Sequence, residues 1–181
     1  MSILFAAMLN DSLPKYFDPR KNASYELTLN GRLPLNQLEE LCAALASDVG
    51  DVVILLNFRV DEDRRYIATG NLKSQVQITC QRCLGPVTCD LDIDLSLAFV
   101  YDEDHAKNIP EEYDPVVMTD GEVVLSKMVE QELILALPIV VYHDESGCNP
   151  AALKYASSID DATDEEIKPN PFSILANFKA K

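Results

Sequence analysis

The chain has 181 residues, 48% hydrophobic and 25% charged, and a formal net charge of -15. That composition belongs to a globular domain and excludes a disordered polymer. No run approaches the roughly 18 apolar residues of a membrane span, and an acidic chain of this size is excluded from coating nucleic acid wholesale. The charge is uneven. Residues 1–85 hold nine Lys and Arg against ten Asp and Glu, whereas the remaining 96 hold six against twenty, so nearly all the negative charge lies in the second half.

The opening MSILFAAMLNDSLPKYF has no basic residue ahead of its apolar run, so no secretory signal is expected and the reading is cytoplasmic. Five cysteines fit reduced thiols better than a disulfide framework. Tyr25, Leu27 and Leu29 alternate with polar neighbours, a short strand expected to turn at Asn30-Gly31. Asn36 and Glu39 form a capping-box pattern. With Leu38, Leu41, Cys42 and Leu45 behind them, they predict an amphipathic helix to about Ser47, with Cys42 as a small apolar core residue.

Val52, Ile54, Leu56, Phe58 and Val60 predict a strand that ends in the charged turn 61–65. Two long alternating segments follow. Apolar residues fall mostly on even positions from Tyr66 to Ile78 and on odd positions from Val87 to Tyr101, which predicts an antiparallel hairpin with one dry and one wet face. Leu72, Val76, Ile78, Leu91, Ile93, Leu95 and Leu97 should face the helices. Asp90, Asp92 and Asp94 then lie on the solvated face. A calcium loop is rejected, because the glycine turn it needs is missing.

Residues 102–122 read as an acidic loop with a turn at Asp120-Gly121. A second helix is expected from Leu125 to Leu137, stopped by Pro138. Glu132 falls on its apolar stripe with Leu125, Met128, Val129 and Ala136, and is expected at the stripe's edge or buried against an arginine. The expected fold class is α+β: an antiparallel sheet with a long hairpin, packed by two helices. A single domain over 1–148 is followed by an acidic linker over 149–167, expected to be flexible. The last segment, 168–181, reads KPNPFSILANFKAK. Asn170 caps a short helix with Pro171 at its first position, and Phe172, Leu175 and Ala176 share a face. It is expected to be a docking segment for a partner, with a clamp back onto the domain as the alternative.

Cys80-Gln81-Arg82-Cys83 at the hairpin tip has three readings. Two thiolates three positions apart at a tight turn suit zinc, with Cys89, Cys148 and His143 as further donors. A redox pair would open a helix, and this pair joins two strands. The reading preferred from the residues is two reduced cysteines shaping the tip, with no metal and no cofactor assigned. No nucleophile elbow or phosphate-cradling glycine loop is present, and general-base candidates are few, so no enzyme is expected.

CQRCLGPV at the tip, MVEQELILALP followed by a V-x-H-D-x-x-x-C pattern, the closing KPNPFSILANFKAK and the early LPKYFDPRK together resemble the YceD (DUF177) family. That family is named for large ribosomal RNA subunit accumulation. The resemblance implies a factor for large-subunit ribosomal RNA accumulation or processing. Some relatives carry further cysteines after the LALP helix that complete a four-thiol zinc site, where this chain has His143 and Cys148. The expected partner is a pre-ribosomal particle, ribosomal RNA or a basic ribosomal protein. Arg20, Lys21, Arg64, Arg65 and Arg82 are candidates for RNA phosphate, Cys80 and Cys83 belong to the candidate tip surface, and Pro171, Phe172 and Leu175 are candidates for docking. An acidic chaperone of a basic ribosomal protein without RNA contact is the alternative, and an RNA-processing enzyme is less favoured.

Overall fold

The computed structural model describes residues 13–144 and 147–149. Residues 150–167 of the expected linker and the docking segment, with Pro171, Phe172 and Leu175, lie outside them.

The chain runs through β1 (Tyr16–Phe17), α1 (Pro19–Ser24), β2 (Thr28–Pro34), a 3-10 turn (Leu35–Gln37), α2 (Glu39–Ala44), β3 (Asp51–Val60) and β4 (Tyr66–Thr79). It continues through β5 (Pro86–Val100), α3 (Glu103–Ala106), β6 (Asp114–Val117), β7 (Val123–Val124) and α4 (Leu125–Ala136). Strands β2, β3, β4, β5 and β6 lie side by side in that order. All neighbours are antiparallel except β5 and β6, and β1 pairs separately with β7. This is the expected α+β architecture.

The long hairpin has the expected register. Leu72 faces Ile93, and Val76 faces Cys89. Leu72, Val76, Leu91, Leu95 and Leu97 are buried, while Ile78 and Ile93 pack against the core half-exposed. The aspartates form a cross-strand polar ladder: Lys73 Nζ reaches Asp92 at 2.8 Å and Gln75 Nε2 reaches Asp90 at 2.8 Å. Phe17, Phe58 and Phe99 close one end of the core with ring centroids 5.3 to 6.0 Å apart. Near that end the opposite face is dry too, since Ile67 and its cross-strand partner Ala98 are fully buried. Alternation along one strand carries no information about what covers its second face.

Other expectations need correction. Asn30-Gly31 is no turn: both lie inside β2, with Gly31 paired to Ile54. Pairing with β3 along its whole length overrides the local turn preference. The expected helix 36–47 is broken into the 3-10 turn and α2, and Leu38, not Asn36, stands at the cap of α2. Leu35, Leu38 and Leu41 are all fully buried by this arrangement. Residues 102–122 contain α3, capped by Asp102, as well as β6.

The carboxylate fully buried on α4 is Glu130, whereas Glu132 takes the first of its two expected placements, at the edge of the stripe. Glu130 is 2% exposed and accepts hydrogen bonds from the backbone N–H groups of Glu40 (2.7 Å) and Leu41 (3.2 Å), so it caps α2 from another helix. Lys127 Nζ, 3.0 Å away, completes its shell. Burial raises the Glu130 pKa, but Lys127 and the two backbone donors together hold it below the usual value. Glu132 is half-buried, and no arginine meets it among the described residues.

Candidate metal centre

The tip between β4 and β5 is closed by its own backbone. Cys80 N–H donates to Gly85 O at 2.8 Å and Leu84 N–H donates to Cys80 O at 2.9 Å. The left-handed backbone needed to reverse the chain falls on Leu84 (φ 58°), not on Gly85. The segment after α4 is strapped to this tip, since Gln81 N–H donates to Val141 O and Gln81 Nε2 donates to Ile139 O, each at 3.0 Å. The strap delivers His143. A turn closed by Gly147 N–H to Asp144 O, at 2.8 Å, then brings back Cys148.

Cys80, Cys83, His143 and Cys148 thereby converge, with their four donor atoms all within 4.8 Å of one another. Cys80 Sγ and Cys148 Sγ are 3.9 Å apart, and His143 Nδ1 is 3.2 Å from Cys83 Sγ and 3.8 Å from Cys148 Sγ. A tetrahedral zinc with ordinary bond lengths has edges of about 3.8 Å between sulfurs and about 3.6 Å between sulfur and nitrogen. The Cys80–Cys148 and His143–Cys148 separations lie close to those edges, and the other donors stand within about 1 Å of them.

The histidine tautomer fits as well. His143 Nε2 is 2.9 Å from Pro86 O, which can only accept, so Nε2 carries the proton and the Nδ1 lone pair points at the thiols. Proton equilibria favour thiolate at Cys80 and Cys83. Burial pushes Cys80 up, but the backbone N–H groups of Cys83, His143 and Arg82 outweigh it and bring its pKa to about 5. Cys83 is lowered by the N–H groups of Asn149 and Gly85. Burial raises Cys148 against the opposing pull of Arg82. The Pro86 carbonyl, then Cys80, raises His143.

Arg82 lies inside this arrangement. Its Nε donates to Cys148 Sγ at 3.0 Å, one Nη donates to His143 O at 3.1 Å, and the guanidinium sits 6.0 Å from the Tyr142 ring centre. Three thiolates with one divalent cation would leave one negative charge, which Arg82 is placed to balance.

The other sequence-predicted cations are elsewhere. Arg64 and Arg65 occupy the β3–β4 turn, at the far end of 14-residue β4, roughly 45 Å along the strand from the cysteine tip. Arg64 is exposed with φ 62°, and Arg65 pairs with Asp61 and Asp63. Arg20 forms a two-pronged pair with Asp18, the cap of α1, at 3.0 Å for each contact, and Lys21 is exposed beside it. Cys89 does not join the cluster. Its side chain lies within β5, opposite Val76. Sequence spacing identified the four donors, but it carried no signal for the Pro86 carbonyl or for Arg82 turned toward sulfur.

The family model described as "Large ribosomal RNA subunit accumulation protein YceD" matches residues 68–179, a stretch that contains all four donors. A protein of that same name from Haemophilus influenzae (strain ATCC 51907 / DSM 11121 / KW20 / Rd) is 36% identical over 172 residues, covering 93% of this chain and 97% of its own length. No solved structure matches. Over most of its length, and through every donor of the cluster, the chain belongs to the YceD family.

Proposed function

We propose that this protein is a non-catalytic factor for the accumulation of large-subunit ribosomal RNA, acting in the cytoplasm, and that its cysteine tip is a structural zinc centre. The observation that carries the zinc reading is the closed Cys3His donor set, with the His143 tautomer already fixed by Pro86. Three thiols and an imidazole in tetrahedral array select zinc among the common metals. Four protein donors leave no position for water or substrate, which is the arrangement of a structural centre rather than a catalytic one. Bound zinc would supply charge neutralisation and a cross-link between the hairpin tip, the strap and Cys148. The role in ribosomal RNA accumulation rests on the name carried by the family and by the H. influenzae relative.

How the protein engages the pre-ribosomal particle follows from its charge. The acidic second half suits a basic ribosomal protein, while contact with RNA phosphate falls to the exposed Lys21 and Arg64. A second reading, chaperoning of a basic ribosomal protein without RNA contact, is favoured by one observation: Arg20, Lys21, Arg65 and Arg82 already have partners within the domain.

The test is complementation of cells depleted of the protein. Wild type should restore the ratio of large- to small-subunit ribosomal RNA. Cys80→Ser and Cys148→Ser should purify without the zinc that wild type holds at about one equivalent, and should fail to restore the ratio. Metal-free variants that restore it fully would overturn the centre's role. Binding of the purified chain to basic ribosomal proteins but not to ribosomal RNA would favour the second reading.

A further inference from the structure

A groove of about 990 Å³ runs between α4 and the β5–β6 edge of the sheet. Ile93, Val116 and Leu135 contribute apolar surface, and Asp94, Asp114 and Glu132 contribute carboxylates. No lysine or arginine lines it among the described residues. Leu135 is 80% exposed, a large apolar side chain with little over it. Glu132 has no ion pair among the described residues, and burial, then the charge of Asp114, raises its pKa. Such a surface repels RNA. It calls for a polypeptide that brings apolar side chains and positive charge together.

The chain carries one segment of that chemistry. Residues 168–181 contain Lys168, Lys179 and Lys181, half of the six basic residues in the acidic half, and no acidic side chain. Between those lysines stand Phe172, Ile174, Leu175 and Phe178. We propose that the groove between α4 and the β5–β6 edge is the docking site of the chain's own residues 168–181.

Reach permits it. Asn149 lies at the cysteine tip, and residues 150–167 separate it from Lys168. A chain of that length spans at most about 60 Å, and its coil dimension is about 25 Å. Ile93 lies about 25 Å along β5 from Pro86 at the tip. A tether whose natural length matches the span holds its end at millimolar effective concentration, so even a weak intrinsic contact is populated. A clamp back onto the domain, the alternative expectation, thus takes the place of docking to an external partner.

The experiment uses the full chain in solution and follows the methyl resonances of Ile93, Val116 and Leu135, with amide exchange over 131–136. Phe172→Ala should shift all three methyls and speed exchange roughly tenfold, as loss of one large anchor does. The methyls of Leu41 and Val52 should stay in place and report an intact fold. Glu132→Lys should have the same effect, and adding Lys179→Glu to it should restore much of the protection. Glu62→Lys, an equal charge change in the β3–β4 turn, should do nothing. Unchanged groove methyls in Phe172→Ala would overturn the proposal. So would protection that rises with protein concentration, which would place a second copy in the groove, or protection gained only on adding a basic ribosomal protein.

Discussion

The two ends of β4 reverse the chain in similar space and both carry arginine, yet they are held by different physics. At the β3–β4 turn, Arg65 meets Asp61 and Asp63, so ion pairs within the turn offset most of its charge. At the cysteine tip, three thiols and an imidazole crowd together, and the one cation among them does not neutralise three thiolates. One turn is closed by its own ion pairs; the other carries a donor set that could hold a metal. An arginine in a sequence therefore says little about what it binds. Arg65 is taken up by carboxylates and Arg82 by sulfur.

The largest expected effect joins the two ends, because both hang on the same core. Leu95→Asp should cost more than about 4 kcal/mol and unfold both turns together, since it sets an unpaired charge among buried leucines. Asp94→Leu on the wet face should be far milder. Equal thermal destabilisation by the two would break the face assignment. Next comes metal removal. A chelator, or Cys80→Ser, should abolish the stoichiometric zinc and expose amides 80–85 and 141–144 to exchange, while amides 61–65 keep wild-type rates. Uniform loss of protection would show that the ends are not independent.

Glu130→Gln should cost about 2 kcal/mol at neutral pH, the scale of hydrogen bonds to a charged group. The folded pKa of Glu130 is depressed, so its contribution is full above the unfolded value near pH ~4.3 and is lost as pH falls through the folded value. Denaturant melts at falling pH should therefore bring wild type and variant together once the pH has passed below the depressed folded value. A gap that persists in acid would mean that the charge is not what matters. The smallest effect belongs to Arg65→Ala, about 1 kcal/mol, because Asp63 is exposed and Asp61, though largely buried, keeps the Arg65 backbone N–H as a donor at 2.7 Å. A larger loss by the same melts would make that turn as dependent on its cation as the tip is.

The hairpin was legible because alternation over two long strands leaves one register that buries Leu72, Val76, Leu91 and Leu95 together. The cluster was legible in part. Spacing supplied Cys80, Cys83, His143 and Cys148, yet whether they met depended on the strap from Ile139 to Val141, whose hydrogen bonds to Gln81 leave no mark in the sequence. Glu130 was missed for a related reason. Its ligands are backbone N–H groups 89 and 90 residues away, and stripe counting on α4 cannot see them, so the neighbouring Glu132 drew the attention instead. The turn expected at Asn30-Gly31 failed because local preference was outweighed by seven consecutive cross-strand pairs.

The reach of Glu130 also sets an order of events during synthesis. Helix α2 has six residues, too few to persist alone in water. Its sequence leaves the ribosome early, but the carboxylate that caps it belongs to α4, about ninety residues later. A nascent chain that has exposed β2, β3 and β4 thus still lacks a fixed α2. The layer formed by Leu35, Leu38 and Leu41 closes over the sheet only when α4 has emerged and docked. On this ordering the domain is built from its middle outward, with α2 among the last parts to set.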